Sequence, residues 1–139
     1  MSYLIDTSAV VRMRRDQEIA PYWLDAATAG LVATCPAVEA ELVRTARSRA
    51  DRDHIRDYLQ AVFTWQPMPD GMWRDLEQMQ DRLVDSAQHR GPSVVDLLVA
   101  VTAQAWGLTV LHVDNDFETI ARVTGLATQR ADNPPAEHR

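Results

Sequence analysis

Apolar residues fall along this chain in two rhythms. Short continuous runs at about 2–6, 31–34, 109–113 and 126–129 have the length and content of buried strands. Longer stretches place apolar residues at helical spacing, as Ile55, Leu59 and Val62 do over 51–64. Trp73, Leu76, Met79 and Leu83 do the same over 70–88, so the tryptophans read mostly as core residues. Further helices are predicted over about 8–14, 17–29, 36–48, 94–106 and 116–124. Punctuation supports these bounds. Gly30 and Gly107 stand just past helix ends, Pro36 sits in a first turn, and Gly91-Pro92 breaks a helix. Residues 65–69 read as extended, because residues before Pro67 and Pro69 avoid the helical region. Residues 1–130 then form one domain, and 131–139, with Pro134 and Pro135 adjacent, a frayed C-terminal tail. Strands alternating with helices predict an α/β fold, with a mostly parallel sheet covered by helices on both faces.

In such sheets ligands bind just beyond the C-terminal ends of the strands. Two apolar runs stop there on carboxylates. Tyr3-Leu4-Ile5 ends on Asp6, and Leu108 to Val113 ends on Asp114, with Asp116 two residues on. Asp96 lies three residues after Ser93, at the start of a helix, which is also the spacing of a capping box. Capping and cation binding are compatible at all of these positions. A fourth group comes from the helix after the second strand. Its apolar stripe is Val38, Leu42, Val43 and Ala46; Glu39 falls inside the stripe and Glu41 at its border. A carboxylate inside an apolar stripe is costly unless paired or bound to a cation. A border position suits a site-lining group, so periodicity leaves both glutamates open.

Converging carboxylates raise one another's pKa and call for a cation. Oxygen ligands point to Mg²⁺ or Mn²⁺. Zinc is disfavoured, because His54, His89, His112 and His138 show no close pairing and Cys35 is the single cysteine. A carboxylate-held Mg²⁺ activates water and offsets phosphoryl charge, chemistry suited to cleaving a phosphodiester. The net charge of −6 argues against broad binding along a phosphate backbone. Arg14, Arg15, Arg44 and Arg47 remain candidates for local RNA contact. Hydrophobic content is 46%, no apolar run is long enough to span a membrane, and no secretory leader is evident. A cytoplasmic location is expected.

At this point four fragments carry a resemblance. Leu4-Ile5-Asp6-Thr7-Ser8-Ala9 resembles the opening motif of PIN-domain ribonucleases, especially VapC-type toxins of toxin–antitoxin pairs. Cys35 to Leu42, followed by Ala46-Arg47-Ser48, is similar to their second motif. Asp96-Leu97-Leu98-Val99-Ala100 resembles the third, and His112 to Phe117 the fourth. The resemblance implies a three-layer α/β/α PIN-like fold and Mg²⁺- or Mn²⁺-dependent endonucleolytic cleavage of RNA. It also implies a homodimer and a small VapB-like antitoxin partner. Position by position, it assigns the site acids to Asp6, Glu41, Asp96 and Asp114, with Asp116 as an accessory ligand. It thus selects Glu41 over Glu39. Many relatives carry Ser or Thr where this chain has His112, so hydroxyls for the site would come from Thr7 and Ser8.

Two other classes compete. A phosphoaspartyl-type phosphotransfer domain also places acids beyond strand ends, but sets a lysine against the phosphoryl charge, and this chain has no lysine. A catalytically silent interaction module would have shed some of the acids, and all are present.

Overall fold

The computed structural model describes residues 1–136. In chain order the elements are β1 (Tyr3–Ile5), α1 (Thr7–Met13), α2 (Ala20–Thr28), β2 (Val32–Thr34), α3 (Pro36–Val43) and α4 (Arg49–Val62). Then come β3 (Thr64–Trp65), α5 (Met72–Asp85), α6 (Val94–Trp106), β4 (Thr109–His112), α7 (Asn115–Thr124) and β5 (Thr128–Arg130). The strands form one five-stranded sheet in the order β3-β2-β1-β4-β5. Every pairing is parallel, and helices flank the sheet, as expected for the PIN-like α/β arrangement. Among the described residues no helix is long and apolar enough to cross a membrane.

The strand order positions the site. From β1 the chain builds outward to β2 and β3, then returns to build β4 and β5 on the other side. The order therefore reverses between β1 and β4, which opens a crevice at their C-terminal ends. Ile5 pairs with Leu111, and the Asp6 amide donates to the Leu111 carbonyl at 2.9 Å. Helix α6 packs across β1 and β4. Its buried Ala100 and Ala103 allow the close approach.

Leu4, Ile5, Val32, Val110 and Leu111 are fully buried in the sheet. Trp23 of α2 is also fully buried, edge-on to Tyr3 at 5.2 Å and to Tyr22 at 4.7 Å. Its Nε1 donates to the Ala131 carbonyl at 2.8 Å. Ala131, at the start of the predicted tail, is thereby buried and fixed to the body. Of that tail, residues 137–139 lie outside the described residues.

Several element bounds differ from the sequence reading. The helix expected over 36–48 ends at Val43, where the Thr45 hydroxyl bonds back to the Leu42 carbonyl at 2.7 Å. Ser48 then starts a new helix, its Oγ accepting from the Asp51 amide at 3.1 Å. The helix expected from 17 begins at Ala20, after a turn whose Asp16 carboxylate accepts from the Glu18 amide. Thr64–Trp65 is a true edge strand, paired with β2, where the end of a helix and the start of an extended stretch were expected. The tryptophans are the largest difference. Only Trp23 is in the core; Trp65, Trp73 and Trp106 are 50%, 61% and 48% exposed.

Trp23→Ala should cost about 3–5 kcal/mol, since it leaves a cavity between α2 and β1 and strips the Ala131 carbonyl of its donor. Urea unfolding of both proteins measures this.

Candidate metal centre

Each acid reaches the crevice as part of a helix start. Asp6 is the N-cap of α1: its Oδ2 accepts from the Ser8 amide at 3.1 Å and the Ser8 hydroxyl at 2.7 Å. Asp114 is the N-cap of α7, with Oδ1 accepting from the Asp116 amide at 2.9 Å. Asp96 completes a reciprocal capping box with Ser93 at α6, its Oδ2 accepting from the Ser93 amide at 3.0 Å. The caps bind one oxygen of each carboxylate to the positive end of a helix dipole. The other oxygen is left over. Asp6 Oδ1 is buried without any hydrogen-bond partner. That orphan is costly unless a ligand meets it.

Three of the carboxylates converge. Asp96, Asp114 and Asp116 each place a carboxylate oxygen within 4.8 Å of the others. Asp6, expected among the converging ligands, lies outside this trio, although the charges of Asp96 and Glu41 both act on it. Burial is the main reason the Asp6 carboxyl is pushed up to about 6; the Ser8 bonds oppose the shift, and Asp96 and Glu41 reinforce it. Asp96 is also raised, first by burial and then by Asp114 and Asp116. Asp116 is raised by burial and by Asp114. A crowded, raised set of carboxylates with an unpartnered buried oxygen fits a hard divalent cation. Asp116 lies so close under Gly91 that a Cβ there would stand 3.2 Å from its Oδ1.

The two glutamates separate. Glu39 pairs with Arg56 of α4 at 2.9 Å, which explains how a carboxylate is tolerated in the apolar stripe. Glu41 is half-buried and is the one whose charge reaches Asp6.

The structure places each accessory candidate. Ser8 Oγ donates to Asp6 and accepts from the Val113 amide at 3.1 Å, tying the end of β1 to the end of β4. Thr7 Oγ1 is buried without a partner. His112 is fully buried against Phe117, and its Nδ1 accepts from the Asp114 amide at 3.1 Å. Burial, and then Arg130, hold its pKa below the ordinary imidazole value, which keeps the ring neutral. Of the candidate RNA contacts, Arg14 lies over the Tyr58 ring at 4.9 Å and Arg47 pairs with Asp51 at 3.7 Å. Arg15 and Arg44 are exposed.

Three residues escape the sequence reading. Thr34 ends β2 with its hydroxyl buried and unpartnered. The signal was available, a polar residue closing an apolar run, as with Asp6. Gly91 and Arg130 gave none.

With this geometry in place, comparison with known proteins is informative. Residues 3–123 match the PIN domain family. This chain belongs to the PIN-domain family. The PIN domain is 40% identical to "Ribonuclease VapC2" of Mycobacterium tuberculosis, across 96% of this chain and 94% of that protein. It is 35% identical to "Ribonuclease VapC21" of the same species, across 68% and 69%. Among solved structures it resembles VapBC2 of Rickettsia felis bound to a promoter DNA fragment, with TM-score 0.77, 16% identity, and coverage of 94% and 98%. It also resembles VapBC-5 of Mycobacterium tuberculosis, with TM-score 0.59, 25% identity, and coverage of 93% and 96%. The family assignment sets aside the phosphotransfer alternative.

The raised Asp6 makes a testable pH effect in metal-free protein. A carboxyl whose pKa rises from 3.8 unfolded to about 6 folded adds stability below about pH 4 that is lost as pH climbs through 6. Asp6→Asn cannot ionise and so escapes that loss. The PIN domain with Asp6→Asn should melt above wild type at pH 8, by a margin worth up to about 3 kcal/mol, and the gap should close toward pH 4. Thermal melts in a chelator across that range check the sign.

Proposed function

We propose that this chain is the toxin of a type II toxin–antitoxin pair, a Mg²⁺- or Mn²⁺-dependent endoribonuclease acting in the cytoplasm. The observation that carries this reading is the meeting of Asp96, Asp114 and Asp116 oxygens, together with the unpartnered buried Oδ1 of Asp6. The names of the related ribonucleases supply the reaction class. Asp6, Asp96 and Asp114 would hold the cation, with Asp116 supporting it. When bound, such a cation lowers the pKa of a water molecule and offsets charge on a phosphoryl group. The chain's own residues do the rest. Ser8 holds Asp6 through two bonds to one oxygen, which leaves the other buried and free to take a ligand. Glu41, half-buried at the margin, accepts the proton of the attacking water. The acid cluster keeps RNA from binding without a cation, because a bare phosphate would meet only like charge.

The partner follows from the same charge. Solved relatives named VapBC are toxin–antitoxin complexes. A small VapB-like antitoxin is proposed to place an Arg or Lys among the carboxylates, where an arginine fork bridges two of them. The homodimer implied by the resemblance belongs to this proposal too, as do the RNA contacts of Arg14, Arg15, Arg44 and Arg47.

Two measurements test the reading. Asp6→Asn, Asp96→Asn and Asp114→Asn should each reduce divalent-dependent RNA cleavage by at least about 100-fold without unfolding the protein. Full cleavage by the Asp6→Asn/Asp114→Asn double variant overturns the assignment.

The glutamates give the second. Glu41→Gln should lower the cleavage rate at saturating Mg²⁺ by about 100-fold or more. Glu39→Gln should leave it near wild type and cost about 0.5–1 kcal/mol through the weakened Arg56 pair. Rates and melting temperatures of the two variants decide between the residues; the reverse pattern reassigns the site acid to Glu39.

A further inference from the structure

The turn that delivers Asp114 and Asp116 is suspended from three side chains on three strands or their ends. The Val113 amide is held by Ser8 Oγ, and the Asp114 amide by His112 Nδ1, both at 3.1 Å. The third support is Arg130, the last residue of β5, which lies beyond the part of the chain that matches the PIN family. Parallel pairing sets Arg130 beside His112, and the next amide, Ala131, donates to the His112 carbonyl at 2.8 Å. The guanidinium therefore stands against the turn.

Its fork is fully employed. Nε and Nη2 grip the two oxygens of Asp132 at 2.9 and 3.1 Å, which fixes the plane of the group. Nη1 donates to Asn115 Oδ1 at 3.1 Å and to Glu118 Oε1 at 3.2 Å on α7. Nη2 also reaches the Val113 carbonyl at 3.5 Å. Arg130 thus holds the residues on either side of Asp114, and the first turn of the helix that carries Asp116. Like charges on Asp96, Asp114 and Asp116 push this turn outward. A planar five-donor group bridging β5 and α7 resists that displacement in a way that a single ammonium does not.

We propose that Arg130 is a positioning residue of the metal centre: by clamping Val113, Asn115 and Glu118 to β5, it sets the separation of the Asp114 and Asp116 carboxylates and so the affinity for the divalent ion. The inference rests on the metal-centre reading above. The role assigned to Arg130 is exerted through Asp114 and Asp116 rather than by contact with the reacting atoms.

The test is Mn²⁺ titration of the full chain by electron paramagnetic resonance, without RNA, on wild type, Arg130→Met and Arg130→Lys. Circular dichroism melts accompany each, and Ile55→Val serves as a mild core lesion away from the turn. Arg130→Met should weaken Mn²⁺ binding by about tenfold, with Arg130→Lys between Met and wild type. The Mn²⁺ concentration for half-maximal cleavage should shift likewise, with a smaller change in rate at saturating Mn²⁺. Ile55→Val should leave Mn²⁺ affinity unchanged. Wild-type Mn²⁺ affinity in Arg130→Met, or a loss no larger than in Ile55→Val, overturns the proposal. Should wild type itself bind no Mn²⁺, the metal-centre reading fails and this inference falls with it.

Discussion

The structure depends on one constraint: a carboxylate oxygen taken out of water must meet a positive partner. Asp6, Asp96 and Asp114 each answer it with one oxygen. One oxygen is spent on backbone amides at a helix start, and that bond fixes where the side chain points. Asp96 and Asp114 also meet Asp116 at close range, and Asp6 keeps one buried oxygen with no partner. Capping and the proposed cation holding are then compatible in one arrangement, in which the caps orient the side chains. The sheet accommodates this because its strand order reverses at β1 and β4, which leaves room between their helices for the acids to meet.

This explains which parts of the site could be read from the chain. Asp6 and Asp114 stand out because an apolar run ends on them, and Asp96 because its spacing from Ser93 makes a capping box. The glutamates do not separate that way. Periodicity reports only which face of α3 a residue occupies, while Glu39 is neutralised by Arg56 on the following helix, a pairing that no spacing rule within α3 contains. Sequence resemblance favours Glu41 because it compares positions rather than faces. Arg130 was invisible for a related reason. Its importance lies in a register between β4 and β5, set by a turn and a helix that intervene.

The fold shows the same division. Long helices with strong amphipathic spacing were legible to within a few residues. The break between α3 and α4 was read but placed too late, because apolar spacing continues to Ala46 beyond the last turn of α3 at Val43, while Ser48 marks the new start. Two-residue β3 is too short to show a period at all. Trp73 illustrates the limit of spacing: it shares a helical face with Leu76 and Met79, yet the face runs past the edge of the core and leaves the ring in solvent.

The tie between Ser8 and Val113 spans 105 positions of sequence. It means that the acids cannot be assembled early. A domain folds as a unit, and during synthesis the N-terminal part of this one emerges well before β4 and β5. Until β4 is available, Asp6 has its cap but no Asp114 beside it, and until β5 follows, the Asp114 turn lacks its outer support. Competence for chemistry thus comes at the end of synthesis, as a property of the completed sheet. An unfinished or prematurely released chain would be harmless by construction, with no need for a separate inhibitor during those seconds.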